Sequence, residues 1–202
     1  MGERFANLRK IPKEPARRFL ALSNARLSVK LTSPAAAPVE TVLAELDGVS
    51  ARSDMIRLLA AALPARECIW WGCLAAGDLV SEDAPLPPPL AAARAWVFKP
   101  TDETREAARL AAETADPDDE TTLCGNAVAM HDGRLGTGEM AAHRAPAGAV
   151  GTFVFALNVM SLSRATPDTL AERYDMLIDR ALDIARGGNG RHGAGAAQGI
   201  AP

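Results

Sequence analysis

Apolar side chains recur at helical spacing in one segment after another of this sequence. Side chains three or four positions apart share one face of a helix, and apolar faces of this kind follow one another along the chain. A sustained alternation of apolar and polar residues, which would predict β-strands, is missing from the sequence. The pattern therefore predicts an all-α protein. We expect an irregular bundle of roughly seven to nine helices, because no fixed repeat period indicates a solenoid.

Turn and capping residues set the expected limits of these helices, since proline, glycine and Asp-Gly pairs separate the apolar segments. The predicted N-terminal capping residues are Ser50 or Ser53, Thr101 and Thr166. The predicted helices cover approximately residues 14–24, 38–46, 53–62, 65–79, 90–98, 102–111, 118–131, 151–163 and 168–186. A short helical turn is expected within the Gly- and Ala-rich loop 133–148.

Composition divides the chain into three parts. Residues 1–33 are predicted to form a basic N-terminal arm that can hold one short helix, and residues 34–188 a single helical domain. Residues 189–202 are a Gly- and Ala-rich tail that is predicted to be disordered. Within the domain, the proline-rich stretch 81–89 predicts an extended connection between two helices.

The net charge of −3 conceals a strong asymmetry. Residues 2–33 contain eight Lys or Arg residues against two Glu residues, a net charge of +6, which leaves −9 on the rest of the chain. The arm can therefore fold back on its own acidic body or contact an acidic partner. Its basic residues are not interleaved with aromatic ones, so no nucleic-acid partner is expected.

Cysteine and apolar content indicate a cytoplasmic protein. Cys68, Cys73 and Cys124 form an odd set without a C-x-x-C pair, which favours buried thiols in a reducing compartment. No apolar run reaches the roughly 20 residues that a membrane-spanning helix needs, so no membrane insertion is expected. No cofactor is indicated.

Four carboxylates share one face of the last predicted helix: Glu172, Asp175, Asp179 and Asp183. Such a ridge could bind a divalent cation or meet a basic segment, for example the N-terminal arm. Because no second acidic helix accompanies it, we favour a solvated face balanced by Arg173 and Arg180, and no metal site is predicted.

The most distinctive group of residues is the segment L-P-A-R-E-C-I-W-W at 63–71. Arg66 and Trp70 are four positions apart, as are Glu67 and Trp71, so a guanidinium can lie over one indole while the carboxylate accepts from the other indole N–H or from a neighbouring helix end. One interpretation is a recognition site, since Trp and Arg dominate interface energetics. The other is a core anchor in which Glu67 satisfies a buried indole N–H. With Trp96, these four residues are the predicted binding residues, and no catalytic residue is predicted.

Three segments resemble a bacterial family of helical domains of unknown function: A-A-L-P-A-R-E-C-I-W-W-G-C-L-A-A (61–76), A-A-A-R-A-W-V-F-K-P-T-D-E-T-R-E-A-A (91–108) and E-R-Y-D-M-L-I-D-R-A-L-D-I-A-R-G-G (172–188). The family pattern has L-P-x-R-E-x-x-W-W, a later A-x-x-W-V-x-x-P and a closing L-x-x-A-x-D-I-A, often in genes near type VI secretion genes. Where the family has an aromatic F-W-S-G-G-S segment, this chain has M-H-D-G-R-L at 130–135. The resemblance covers about residues 38–188 and implies a secretion context without an activity.

Two functions are therefore expected from the sequence. The first is a non-catalytic adaptor or accessory protein that acts through protein–protein contact, linked to type VI secretion by the resemblance. The second is a small-ligand-binding protein or enzyme with a site near Arg66 and Glu67 or near His131, which would need a concave site with converging polar groups. The sequence identifies neither the partner nor the oligomeric state.

Overall fold

Nine α-helices and two short 3₁₀ helices form the regular structure of residues 3–191, the part of the chain that this computed structural model describes. The helices are α1 (Ala16–Leu22), α2 (Val39–Gly48), α3 (Arg52–Ala62), α4 (Ala65–Gly77), α5 (Pro88–Phe98), α6 (Asp102–Thr114), α7 (Thr122–Ala129), α8 (Ala149–Ser161) and α9 (Leu170–Arg186). The 3₁₀ helices are Gly138–Ala142 and Leu162–Arg164. Residues 3–191 contain no β-strand, so the predicted all-α bundle is confirmed.

Helix α4 occupies the centre of the bundle. Every residue from Cys68 to Ala76 is buried, and α4 packs against α5, α7, α8 and α9. Gly72 permits the close approach of α8, because a Cβ at this position would lie 3.0 Å from Val154 Cγ2. Small side chains at a crossing let two helix axes approach closely, which explains how an alanine-rich, aromatic-poor chain fills its core.

The structure confirms one of the predicted N-terminal capping residues and contradicts the others. Thr101 caps α6 as predicted, in a capping box with Thr104. The predicted serine caps of α3 are wrong: its N-cap is Ala51, without a side-chain cap. The expected start at Thr166 is wrong as well, since α9 begins one turn later and Thr169 takes the N-cap position. There the Thr166 N–H donates to Thr169 Oγ1 over 3.0 Å, so the two threonines close a turn before the helix.

All three cysteines are buried free thiols, as predicted. The Sγ of Cys68 donates to the carbonyl of Ala60 over 3.4 Å, and burial raises the pKa of this thiol to about 12. A thiol with such a pKa stays protonated at neutral pH, so it packs as a small apolar group in the core.

The first residues described pack onto the C-terminal half of α9. Phe5, Leu8 and Ile11 are buried and belong to the same hydrophobic core as the helices. The Lys10 N–H donates to the carbonyl of Ala185 over 2.8 Å. The Arg186 Nε donates to the carbonyl of Ala6 over 3.2 Å. The chain before α1 is therefore held to the end of α9 by both apolar and backbone contacts.

Residues 192–202, most of the tail whose disorder the composition predicts, lie outside the described residues. The predicted limits of the arm, domain and tail stay predictions. Among residues 3–191, no helix combines the length and the apolar character that crossing a membrane would require.

Candidate functional site

The motif at the start of α4 contacts four separate parts of the chain. Pro64 precedes the helix, so the side chains that follow occupy its first two turns. Arg66 Nε donates to the carbonyl of Val97 over 2.7 Å, and the Glu67 carboxylate lies 3.2 Å from Lys10 Nζ. The indole N–H of Trp70 donates to the carbonyl of Asn189 over 2.8 Å, and that of Trp71 to the carbonyl of Leu177 over 3.0 Å. The contacts of the motif are therefore long-range, to residues before α1, on α5, on α9 and after α9.

Two predicted contacts within the motif are wrong. Glu67 accepts from neither indole, because both indole N–H groups reach backbone carbonyls on or after α9 and the carboxylate turns outward to Lys10. Arg66 does not lie over Trp70, since its Nε is held by the end of α5; the guanidinium over the Trp70 ring is that of Arg191, 5.3 Å from the ring centroid.

The structure brings three of the five predicted binding residues together. Arg66, Glu67 and Trp70 line a shallow cavity of about 190 Å³ together with Lys10 and the backbone around Gly187. The other two, Trp71 and Trp96, lie elsewhere in the core. Trp71 is 0% exposed. Trp96 is also buried, with its ring centroid 4.6 Å from that of His131.

Phe98 belongs to this site, although the sequence reasoning missed it. It is the last residue of α5 and is 70% exposed, and its ring meets the Trp70 ring edge-on with 5.7 Å between the centroids. One signal was available: Phe98 lies one position beyond the buried stripe of α5 that ends at Val97, so it points about 100° away from that stripe. We define the Phe98 surface as Lys10, Arg66, Trp70, Phe98, Lys99 and Arg191.

The Phe98 surface is predominantly basic. Four of its six residues carry a positive charge, and the nearby acidic groups include Glu67 on α4, Glu103 on α6 and Asp183 on α9, whose Oδ2 accepts from the Gly190 N–H over 2.9 Å. The pKa of Glu103 is lowered, first by a hydrogen bond with the Thr101 side chain and to a smaller degree by the charge of Lys99. Within residues 3–191, neither Lys99 nor Arg191 forms an ion pair. The surface therefore presents an exposed aromatic ring beside two cations, Lys99 and Arg191, that form no ion pair with the other described residues.

The polar groups around His131 are occupied by contacts at the end of α7. His131 Nδ1 lies 3.0 Å from the carbonyl of Val128, and Asp132 pairs with the buried Arg105, with 2.7 Å between Oδ1 and Nη2. Burial is the largest single influence on the pKa of Asp132 and would raise it, but the hydrogen bonds from Arg105 and the Arg134 backbone, with the charges of Arg105 and His131, together lower the pKa. Arg105 Nε also donates to the carbonyl of Ala129 over 2.9 Å. These groups bind one another and the backbone at the C-terminus of a helix, so their polar atoms already have partners.

The acidic ridge of α9 binds the chain's own arginines. Arg4 Nη2 lies 3.1 Å from Asp179 Oδ1 and 3.5 Å from Asp175 Oδ1, and Arg52 Nε lies 3.1 Å from Asp175 Oδ1. The expected balance of this ridge by Arg173 and Arg180 is wrong, because both of these side chains pair with Asp78 at the end of α4. In residues 3–191, no group of His, Cys, Asp and Glu side chains has an arrangement that could hold a metal ion.

Two larger grooves lie away from every predicted binding residue. One, of about 490 Å³, runs between the starts of α3 and α9 and is lined by Arg52, Leu170 and Tyr174. The other, of about 570 Å³, follows the chain before α1, from Asn7 to Pro15. Neither groove was predicted, since each depends on how distant segments of the chain meet.

Comparison with known proteins gives one result. The model of a protein family described as a family of unknown function matches residues 42–185, more than half of the chain. Neither a curated protein nor a solved structure matches the chain.

Proposed function

Because the chain belongs to DUF6931, a family of unknown function, we propose a function from the geometry of the site: a non-catalytic adaptor that binds a protein partner through the Phe98 surface. The single observation that carries the proposal is the 70% exposed ring of Phe98, supported edge-on by Trp70. Aromatic and arginine side chains on a rigid, well-packed base are typical of the residues that dominate binding at protein interfaces.

The size of the cavity favours an interface over a small-molecule site. Pockets that enclose small ligands typically have volumes of about 300–1,000 Å³. The cavity lined by Arg66, Glu67 and Trp70 has about 190 Å³. Its polar groups also have partners already, since Arg66 Nε binds the carbonyl of Val97 and Glu67 pairs with Lys10. A flat contact that buries the Phe98 ring fits this arrangement better than an enclosed ligand.

We further propose that the adaptor works in the cytoplasm and that its partner belongs to a type VI secretion apparatus. The cytoplasmic location is supported by the three buried free thiols. The link to secretion rests on the resemblance of the L-P-A-R-E-C-I-W-W segment to a family often encoded near such genes. Partners captured at the Phe98 surface that are not secretion components would contradict this link and leave the adaptor proposal intact.

Site-specific photo-crosslinking in the source organism tests the proposal. A benzophenone amino acid is placed at position 98 in the full chain and, as a matched control, at position 22, where Leu22 on α1 is 64% exposed. We expect a discrete crosslinked protein from position 98 and none from position 22. Equal crosslinking at both positions, or no crosslink at either, would contradict the proposal.

A further inference from the structure

We infer that the partner of the Phe98 surface presents an acidic segment with an apolar side chain near its centre. This inference rests on the proposed function and specifies the chemistry of the partner. It follows from two properties of the surface, its apolar centre and its basic rim.

The apolar centre is held in place before any partner binds. Phe98 ends α5, and the same turn of that helix is fixed from the side by the bond from Arg66 Nε to the carbonyl of Val97. The Phe98 ring leans on Trp70 at an interplanar angle of 63°, and the Trp70 indole is itself anchored to Asn189. A preorganised ring loses little conformational entropy on binding. An apolar side chain of a partner can therefore cover the Phe98 ring and bury it.

The basic rim determines the charge of the residues beside that apolar side chain. Arg191 lies against the Trp70 ring, and the exposed Lys99 follows Phe98 directly in the chain, so each ring of the aromatic pair has a cation near it. Lys10 is engaged by Glu67 but keeps half of its side chain exposed. Carboxylates that flank the apolar side chain would meet these cations, whereas a basic segment would be repelled.

A protein segment fits this surface better than a single-stranded nucleic acid does. Proteins that bind single strands provide a series of aromatic rings on which successive bases stack. The Phe98 surface has one exposed ring, and Trp70 beneath it is largely buried. The observed arrangement therefore offers one anchoring position flanked by charges.

Selection from a random-peptide display library on the full-length protein tests the inference. We expect the enriched peptides to contain Asp or Glu on both sides of a Leu, Phe or Trp residue. Lys99→Glu and Arg191→Glu should each weaken the selected peptides about tenfold, the effect of losing one favourable charge pair and introducing a repulsive one. Lys30→Glu, an exposed lysine between α1 and α2, is the matched control and should leave the affinity unchanged.

Several results would overturn the inference. These are neutral or basic enriched peptides, affinities that do not respond to the two charge reversals, and tighter binding of an oligo-dT probe than of any peptide. Self-association that is lost in Phe98→Ser would identify a second copy of the chain as the occupant and would overturn it too. If a protein still crosslinks from position 98 in any of these cases, the adaptor proposal stands and only the partner's chemistry is wrong.

Discussion

Trp70 and Trp71 are neighbours in sequence, yet they belong to two different regions of the molecule. Trp71 points into the core, is 0% exposed and binds the backbone of α9 in the middle of that helix. Trp70 points to the edge of the bundle, where it supports Phe98 and lies under Arg191. The comparison teaches that Trp71 fits the core-anchor interpretation, whereas Trp70 is the residue of the same helical turn on which the proposed recognition surface depends.

The largest effect is expected from Trp71→Ala. Removing a fully buried indole leaves a cavity between α4 and α9 and leaves the carbonyl of Leu177 without this donor. We expect the free energy of unfolding to fall by about 3–5 kcal/mol. Urea denaturation followed by circular dichroism measures this change. If the unfolding free energy falls no more in Trp71→Ala than in Trp70→Ala, the distinction between the inner Trp71 and the outer Trp70 is wrong.

A smaller effect is expected from Gly125→Ala, which tests another inner contact. A Cβ at Gly125 would lie 2.5 Å from the carbonyl oxygen of Ala108, so α6 and α7 would have to separate. The cost of such overpacking is about 1–3 kcal/mol. Gly48→Ala is the matched control, since a Cβ there meets nothing within 4 Å and the change should stabilise α2 by about 0.5–1 kcal/mol. Denaturant titration of both variants measures the change in unfolding free energy. A loss in Gly125→Ala and a gain in Gly48→Ala would show that the contact between α6 and α7, and not the replacement of glycine itself, is destabilising.

A pH-dependent effect is expected at Glu45 on α2, away from both tryptophans. Its carboxylate accepts hydrogen bonds from the backbone N–H groups of Thr32 and Ser33, first and mainly that of Thr32, and its pKa is lowered to about 2 from an ordinary value of 4.5. A lowered pKa in the folded state contributes stability that is fully present above pH 4.5 and is lost as the pH falls towards 2.

Glu45→Gln should therefore be less stable than the unaltered protein at neutral pH, and the two should converge as the pH approaches 2. Unfolding curves measured across this range test the prediction. A constant difference in unfolding free energy at every pH would show that the carboxylate charge is not the source of the effect.

The smallest effect on stability is expected from Phe98→Ser. A side chain that is 70% exposed buries little apolar surface, so the unfolding free energy should change by no more than about 0.5 kcal/mol. Binding of the peptides selected on the Phe98 surface should nevertheless be lost, which fluorescence anisotropy measures. A stability loss comparable to that of Trp71→Ala would show that Phe98 supports the fold, and the distinction between the inner and the outer region would fail.

The sequence was sufficient for the fold class because the relevant signals are local. Apolar residues around the whole circumference of α4 predicted a central helix, and Thr101 with its acidic neighbours predicted the start of α6. The start of α3 could not be predicted, because the buried Asp54 carboxylate in its first turn binds the distant N–H groups of Ser28 and Val29. A serine cap is a local preference that depends only on residues close in sequence. Here the tertiary contact of Asp54 accompanies a helix start that such local preferences do not predict.

The candidate site was predicted only in part, for the same reason. The spacing of Arg66, Glu67 and Trp70 predicted one cluster, and the structure places the three side chains around one cavity. Their partners could not be inferred, since Lys10 and Asn189 are far away in the sequence and meet α4 only after the chain has folded. Phe98 was missed because a single apolar residue at the end of a helix does not reveal the distant ring of Trp70 that it meets after folding.

The contacts at the start of α4 determine which truncated fragments of the protein can keep their fold. Lys10 and Asn189, which satisfy Glu67 and Trp70, both lie outside the span 42–185 that the family model matches. Phe5, Leu8 and Ile11, also outside that span, are part of the common core. A fragment limited to residues 42–185 would lack Lys10 and Asn189, and apolar surface on α9 would be exposed to solvent. The borders of the sequence match are therefore poor places for excision, and a soluble fragment has to keep both flanking segments.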